Sequence, residues 1–141
     1  MSLKLVYLDS GVLINGFRGL DQVGIRALQM LNNPAIQFAS SEFVRLETLP
    51  KAIYHQRSEE AQFYETFFNA VTIWANDFDA IIQAGKQIAC TYGLAGMDAL
   101  HIAAAISIQA EEFITTERPT KPMHRVKELQ ITSVSSEKVS G

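Results

Sequence analysis

KLVYLDSGVLINGF, residues 4–17, contains the switch on which the fold turns. Its first half, KLVYL, is a short β-branched, aromatic and aliphatic run, the composition of a buried strand. Asp9 ends that run. Ser10 or Asp9 then opens a helix over GVLINGF, because a short polar side chain there accepts hydrogen bonds from the first free helical amides. A buried strand that steps straight into a helix is the opening half of a parallel strand–helix unit.

Working outward, the same alternation recurs. DQVGIRALQMLNN (21–33) carries apolar residues at 23, 25, 28 and 31, a helical period, and ends at Asn33–Pro34. AIQFA (35–39) reads as the second strand. Ser40–Ser41 follows as an N-cap for a long helix over FVRLETLPKAIYH, in which Pro50 predicts a kink or break. SEEAQFYETFFNA (58–70) starts with a capping-type Ser and two glutamates, which favour a helix N-terminus. VTIW (71–74) is the third strand, and Asn76 or Asp77 caps DFDAIIQAGKQIACTYG, closed by Gly93. AGMDALHIAAAISIQA (95–110) predicts a helix rich in small residues, suited to close packing. EFITT (112–116) is the fourth strand, and a basic turn, RPTKPMHRVK, precedes a fifth at LQITSVSS (129–136).

Five short strands alternating with helices specify a three-layer α/β/α fold around a central parallel sheet of about five strands. Right-handed crossovers limit it to doubly wound arrangements. The chain has 141 residues, with no internal repeat and no shift of composition, so 1–141 reads as a single domain. No apolar run approaches the ~18–20 residues of a membrane helix. MSLKLVYLD reaches an acid too soon for a signal-peptide core. A single cysteine, Cys90, excludes a disulfide framework and a cysteine-rich zinc module. Twelve basic and fifteen acidic side chains give a net charge of −3, which argues against a simple basic nucleic-acid binder.

In doubly wound sheets ligands sit beyond the C-terminal strand ends, at the switch in strand order. Acids gather at those ends. Asp9 follows strand one, Glu42 and Glu47 follow strand two, Glu117 follows strand four, and Asp98 lies in the first turn of the helix leading to strand four. Acids near helix starts are common because they complement the dipole and cap amides. Asp98 is the exception, since AGMDALHIAAAI is otherwise almost wholly apolar, and an acid there is costly unless it is paired or bound to a metal. Acids gathered at one edge raise one another's pKa values, and a divalent cation is the simplest cure. His55, His101 and His124 form no zinc-type spacing. All-carboxylate ligation suits Mg²⁺ or Mn²⁺, which recruit phosphate oxygens. Metal-assisted phosphodiester cleavage follows as the natural chemistry, with water activated and the leaving 3′-oxygen stabilised by the cation.

YLDSGVLI, SSEFVRLETL, GLAGMDALHIAAAI and EFITTERP together resemble a PIN-domain protein of the VapC toxin type, over nearly the whole chain. The most specific block is the third, where Leu94, Asp98, Ala99, His101 and Ala103 match an L-x3-DA-x-H-x-A pattern. The resemblance implies a small, cytoplasmic, Mg²⁺- or Mn²⁺-dependent ribonuclease acting on single-stranded RNA. Asp9, Glu47, Asp98 and Glu117 would be its acidic quartet and metal ligands, with Glu47 chosen over Glu42 because the family's S-x5-E spacing fits Ser41 to Glu47. Ser10 and Thr115 or Thr116 would support the site by hydrogen bonds. A homodimer and a small antitoxin protein are the implied partners. Two departures stand out: Gly11 occupies the place of the usual Asn, and Glu117 the place of the commoner Asp. They support an alternative reading as a catalytically weak or inactive PIN-like binding or interaction module.

Beyond the acids, Arg118, Lys121, His124, Arg125 and Lys127 cluster after Glu117, and Arg118, Lys121 and Arg125 are candidate contacts to RNA phosphates. The bland alternative is a solvated loop. Lys51, His55 and Arg57 make a weaker second cluster, and Arg45 is a candidate partner of Glu47. Phe63, Tyr64, Phe67, Phe68 and Trp74 read as core. His101 reads as a packed or hydrogen-bonded helix residue without a ligand role, and Cys90 as buried and inert. An aspartyl-phosphate phosphatase needs a second acid two residues after the first, where Gly11 stands. A receiver domain needs paired acids after strand one and a lysine after strand five, where only Lys138 is available.

Overall fold

The computed structural model describes residues 3–135, so Ser136 of the expected fifth strand, Lys138 and both ends of the expected domain lie outside the described residues. Strand β1 (Lys4–Leu8) leads to α1 (Ser10–Arg18) and α2 (Gln22–Leu31), then β2 (Ile36–Ser41) to α3 (Glu42–Tyr54) and α4 (Ser58–Ala70). Strand β3 (Ile73–Ala75) is followed by α5 (Phe78–Tyr92) and α6 (Gly96–Ser107). Strand β4 (Glu112–Thr115) reaches β5 (Gln130–Ser133) through a 3₁₀ turn at Pro122–Arg125. All neighbouring strands pair in parallel, in the order β3-β2-β1-β4-β5. The expected α/β/α architecture is present.

Val6, Tyr7 and Leu8 are all fully buried. Successive strand residues point to opposite faces, so helices must cover the sheet on both sides. Phe113 and Ile114 of β4 repeat the observation. The order also locates the functional edge: the chain moves from β1 outward through β2 and β3, then returns to β1's other side as β4. The switch point therefore falls between the C-terminal ends of β1 and β4.

Several local expectations needed correction. The helix over 43–55 runs through Pro50 without a break. The proline forfeits one bond to the carbonyl of Leu46, and both residues lie on the exposed side of the helix, where water can replace that bond. Ser58 is the first helical residue of α4 and Arg57 occupies the cap position, so the serine does not cap. Strand β2 takes in Ser40 and Ser41, and Ser41 makes no side-chain cap bond because its hydroxyl is used elsewhere. Strand β3 is shifted towards Ala75.

Helix α6 stops at Ser107 rather than 110. Gln109 adopts a left-handed φ of 56°, Ala110 N–H donates to the carbonyl of Ala105 and Gln109 N–H to that of Ile106, a Schellman ending. Gly93 closes α5 as expected, at φ 70°. Cys90 is exposed, contrary to expectation, because α5 buries Ile81, Gly85 and Ile88 and position 90 falls off that face. No single described helix is long and apolar enough to cross a membrane.

Candidate active site

Asp9 caps α1 at the C-terminal end of the central strand. Both of its carboxylate oxygens are held: Oδ1 accepts from the Ser10 amide at 2.7 Å, and Oδ2 accepts from the Thr115 hydroxyl at 2.8 Å. Thr115 Oγ1 in turn accepts from the Glu117 amide at 3.0 Å. The bond from Asp9 N–H to the carbonyl of Ile114 continues the β1–β4 pairing up to the site. Strand pairing, cap and hydroxyl therefore fix one acid across the switch point.

Glu47 projects from the second turn of α3. Its Oε1 accepts from Ser10 Oγ at 2.7 Å and from His101 Nε2, and Oε2 has no hydrogen-bond partner among the described residues. An ionised carboxylate has no proton to give, so Nε2 donates to Glu47, and in the neutral imidazole Nδ1 is then the acceptor. With that tautomer, Tyr7 OH, 3.1 Å from Nδ1, donates to it, and Ser41 Oγ, 2.6 Å from Tyr7 OH, donates to the phenol oxygen. Ser41, Tyr7, His101 and Glu47 thus form a directed chain running from the sheet to the site. Burial pushes the Tyr7 phenol well above its ordinary range, which keeps its proton in place for that role. Glu47 is lowered, chiefly by the His101 hydrogen bond, with Ser10 adding to the effect and desolvation opposing it.

Asp98 lies half-buried in the first turn of α6. Its pKa is raised, first by desolvation, then by the charges of Asp9, Glu117 and Glu47, against a lowering by His101. The four expected acids are therefore brought into one electrostatic neighbourhood. Among the described residues, neither the Asp98 nor the Glu117 carboxylate has a hydrogen-bond donor. Glu117 is fixed instead through its backbone, its carbonyl facing His124 Nε2 at 3.1 Å.

A divalent cation fits this arrangement. Donor atoms of Asp9, Glu47 and His101 lie within 4.8 Å of one another. Because His101 Nε2 is already committed to Glu47, the oxygens are the available donors, and the raised Asp98 marks a charge deficit that a cation would fill.

The remaining site expectations divide. Ser10 and Thr115 support the acids as anticipated. Thr116 packs against Gly11, where its Oγ1 lies 2.2 Å from the point a β-carbon would occupy. Glu42 is exposed and pairs with Arg45 across 3.2 Å. Arg45 does not pair with Glu47, since residues two apart on a helix face different ways. Its guanidinium also lies 4.9 Å from the Phe68 ring centroid and 4.8 Å from that of Trp74. Arg125 is tied to the carbonyl of Tyr92 at 3.3 Å, whereas Arg118 and Lys121 are exposed and have no side-chain bond among the described residues.

His101 is buried as expected, but its hold on Glu47 went unread. The available signal was its spacing, three residues after Asp98 and so on the same helical face.

A family model described as the PIN domain matches residues 6–120. No curated relative matches the sequence. Among solved structures, a chain of a toxin–antitoxin complex from Klebsiella pneumoniae superposes with a TM-score of 0.69 at 21% identity, covering 92% of this chain and 97% of that one. A chain of DNA-bound VapBC from Salmonella typhimurium gives 0.68 at 16% identity, with coverages of 94% and 98%. A chain of VapBC-1 from nontypeable Haemophilus influenzae gives 0.68 at 16%, with 94% and 99%.

Proposed function

This chain belongs to the PIN-domain family, and from that premise we propose that it is a metal-dependent endoribonuclease cleaving single-stranded RNA, the toxin of a toxin–antitoxin pair. The observation that carries the reading is the contrast within the quartet. Asp9 and Glu47 are locked by donors, while Asp98 and Glu117 present carboxylates with no protein donor among the described residues, all at the switch point of the sheet. Asp9, Glu47, Asp98 and Glu117 would hold Mg²⁺ or Mn²⁺. Such an ion, when bound, supplies Lewis-acid activation of water and of the scissile phosphate.

The protein's own part is positioning. Ser10 and Thr115 aim the carboxylates, and the Tyr7–His101 chain keeps Glu47 ionised and in place. The low-lying Glu47 and the raised Asp98 are two differently disposed carboxylates that would serve a bound phosphate in different protonation states. Exposed Arg118 and Lys121 flank the site on the Glu117 side and attract phosphate without reading bases.

An antitoxin partner is inferred from the solved neighbours, whose described assemblies are toxin–antitoxin and VapBC complexes. A homodimer is inferred from α3, where Leu46, Ile53 and Tyr54 are 67%, 58% and 81% exposed on one helical face. The cytoplasm is the proposed site of action, because the proposed substrate is RNA.

The test is cleavage of labelled single-stranded RNAs with Mg²⁺ or Mn²⁺. Cleavage is expected to disappear in EDTA and in Asp98→Asn. Persistence under either condition would refute the metal-nuclease reading. Gly11 and Glu117 favour a second reading, a PIN-like module that has lost cleavage. Metal-induced thermal stabilisation without cleavage across varied RNAs would select it.

A further inference from the structure

Helices α1 and α3 carry more than the acids. On α1, Ser10, Ile14 and Arg18 recur every four residues and so lie along one face. On α3, Glu47 and Lys51 repeat that spacing, and Arg57 follows at the start of α4. The two stripes run side by side from the Ser10–Glu47 hydrogen bond to a concavity of about 350 Å³, lined by Glu47 and by Arg18, Lys51 and Arg57. We propose that this concavity is a second phosphate subsite, holding a phosphodiester that flanks the scissile one in a single-stranded RNA. The proposal rests on the nuclease reading of the adjoining acids.

Three cations reach one hollow from three helices, and all three are exposed. Arg18 and Lys51 have no ion-pair partner among the described residues. Arg57 has one at 3.7 Å, Glu60, whose other oxygen accepts from Tyr64 OH at 2.7 Å. That geometry braces Arg57 more than it neutralises it. Guanidinium groups suit the bidentate geometry of phosphate oxygens.

The polar wall has little else to offer a ligand. Thr48 Oγ1 bonds back to the carbonyl of Val44 at 2.9 Å, the Tyr64 hydroxyl proton is spent on Glu60, and the Tyr64 ring is buried. With no free base-edge reader and no stacking face, the hollow selects backbone charge rather than sequence. Lys51 lies four residues, about 6 Å along the helix axis, beyond Glu47, so an occupant is near the nucleotide being cut.

The test compares the wild type with Arg18→Ala/Lys51→Ala, both at exposed positions. Arg18→Lys/Lys51→Arg serves as the charge-retaining control, and thermal melts check folding. Anisotropy of a labelled RNA octamer in EDTA should show about tenfold weaker binding for the alanine variant. Its log K against log[salt] slope should be flatter by about 0.7 per lost cation. The control should bind like the wild type.

With metal present, KM for the octamer should rise while kcat stays within about twofold. A dinucleoside monophosphate, which has only the scissile phosphate, should be cut equally by both proteins. Unchanged octamer binding and salt slope would overturn the subsite, and so would an equal loss on both substrates. Variants that lose only the binding of an acidic peptide would also overturn it, in favour of a protein partner. If no protein cleaves RNA but the alanine variant still binds it more weakly, the nuclease reading fails and the phosphate subsite stands.

Discussion

Replacing Gly11 tests the packing beneath the site. A β-carbon at position 11 would lie 2.2 Å from Thr116 Oγ1 and 3.4 Å from Thr116 Cβ. The first distance is a collision and the second is tolerable. Gly11 is the second residue of α1 and its φ lies outside the left-handed region, so alanine suits the backbone there. Gly11→Ala therefore carries two opposed terms. Reduced unfolded-state freedom contributes about 0.5–1 kcal/mol. Forcing Thr116 aside costs about 1–3 kcal/mol. The middles of these ranges give a net loss of about 1 kcal/mol. In a Thr116→Ala background the colliding oxygen is gone and only the first term acts, so the same substitution stabilises by about 0.5–1 kcal/mol.

Urea unfolding of the four proteins in EDTA, compared at constant slope, measures this double-mutant cycle. The expected coupling is about 1–3 kcal/mol, with a change of sign between backgrounds. An equal effect of Gly11→Ala in both backgrounds would refute the reasoning. Thr116 lies between Thr115, which holds Asp9, and Glu117. Metal affinity should therefore fall in the single variant and recover in the double one. The collision also gives a physical reason why asparagine, common at this position in proteins the chain resembles, is not accommodated while Thr116 keeps this rotamer.

Three further predictions follow from the same geometry. In metal-free protein the raised Asp98 makes the folded state bind a proton more tightly than the unfolded state does. Stability therefore falls as pH rises from the ordinary aspartate pKa through the raised one, and Asp98→Asn should flatten that fall and exceed the wild type at neutral pH in urea unfolding. His101→Phe keeps an aromatic ring, though a larger one, and removes the hold on Glu47. It should cost about 1.5–3 kcal/mol of stability and lower kcat while leaving KM for long RNA unchanged. Ile53→Asp on the exposed face of α3 should convert a sedimenting dimer to monomer without altering the melting of the protomer, and a wild-type monomer at micromolar concentration would refute that interface.

The fold was legible because its signals are periodic. KLVYL, AIQFA, EFITT and the helical spacings between them each report burial directly, and parallel pairing follows from alternation. Of the proposed quartet, Asp9 and Glu117 stand out in sequence because they follow the ends of β1 and β4, whereas Glu47 and Asp98 lie within helices and are singled out by the S-x5-E spacing and by an apolar setting. What stayed hidden depends on how distant elements meet. The S-x5-E spacing favours Glu47 over Glu42, but how Glu47 is held depends on α3's rotation about its axis, which the Ser10 and His101 contacts reveal. Arg18 joins Lys51 and Arg57 through the packing of α1 on α3, which brings together residues more than thirty positions apart. Cys90 lies off the buried face of α5 and Pro50, on the exposed side of α3, leaves that helix unbroken, because a residue's effect on a helix depends on which face it occupies.

The charge balance now has a spatial meaning. Removing Asp9, Glu47, Asp98 and Glu117 from the fifteen acids leaves eleven against twelve basic side chains, so the net of −3 becomes +1. That remainder includes cations placed on two sides of the quartet, Arg18, Lys51 and Arg57 across α1 and α3, and Arg118 and Lys121 beyond β4. A polyanion approaching the bare acids meets repulsion at the centre and attraction at the flanks. It is held there productively only once the centre is neutralised. If the proposed function holds, flanking cations around a cation-dependent centre would make RNA binding and metal binding mutually reinforcing. Each ligand should tighten the other by the same factor, since linkage between binding free energies is reciprocal.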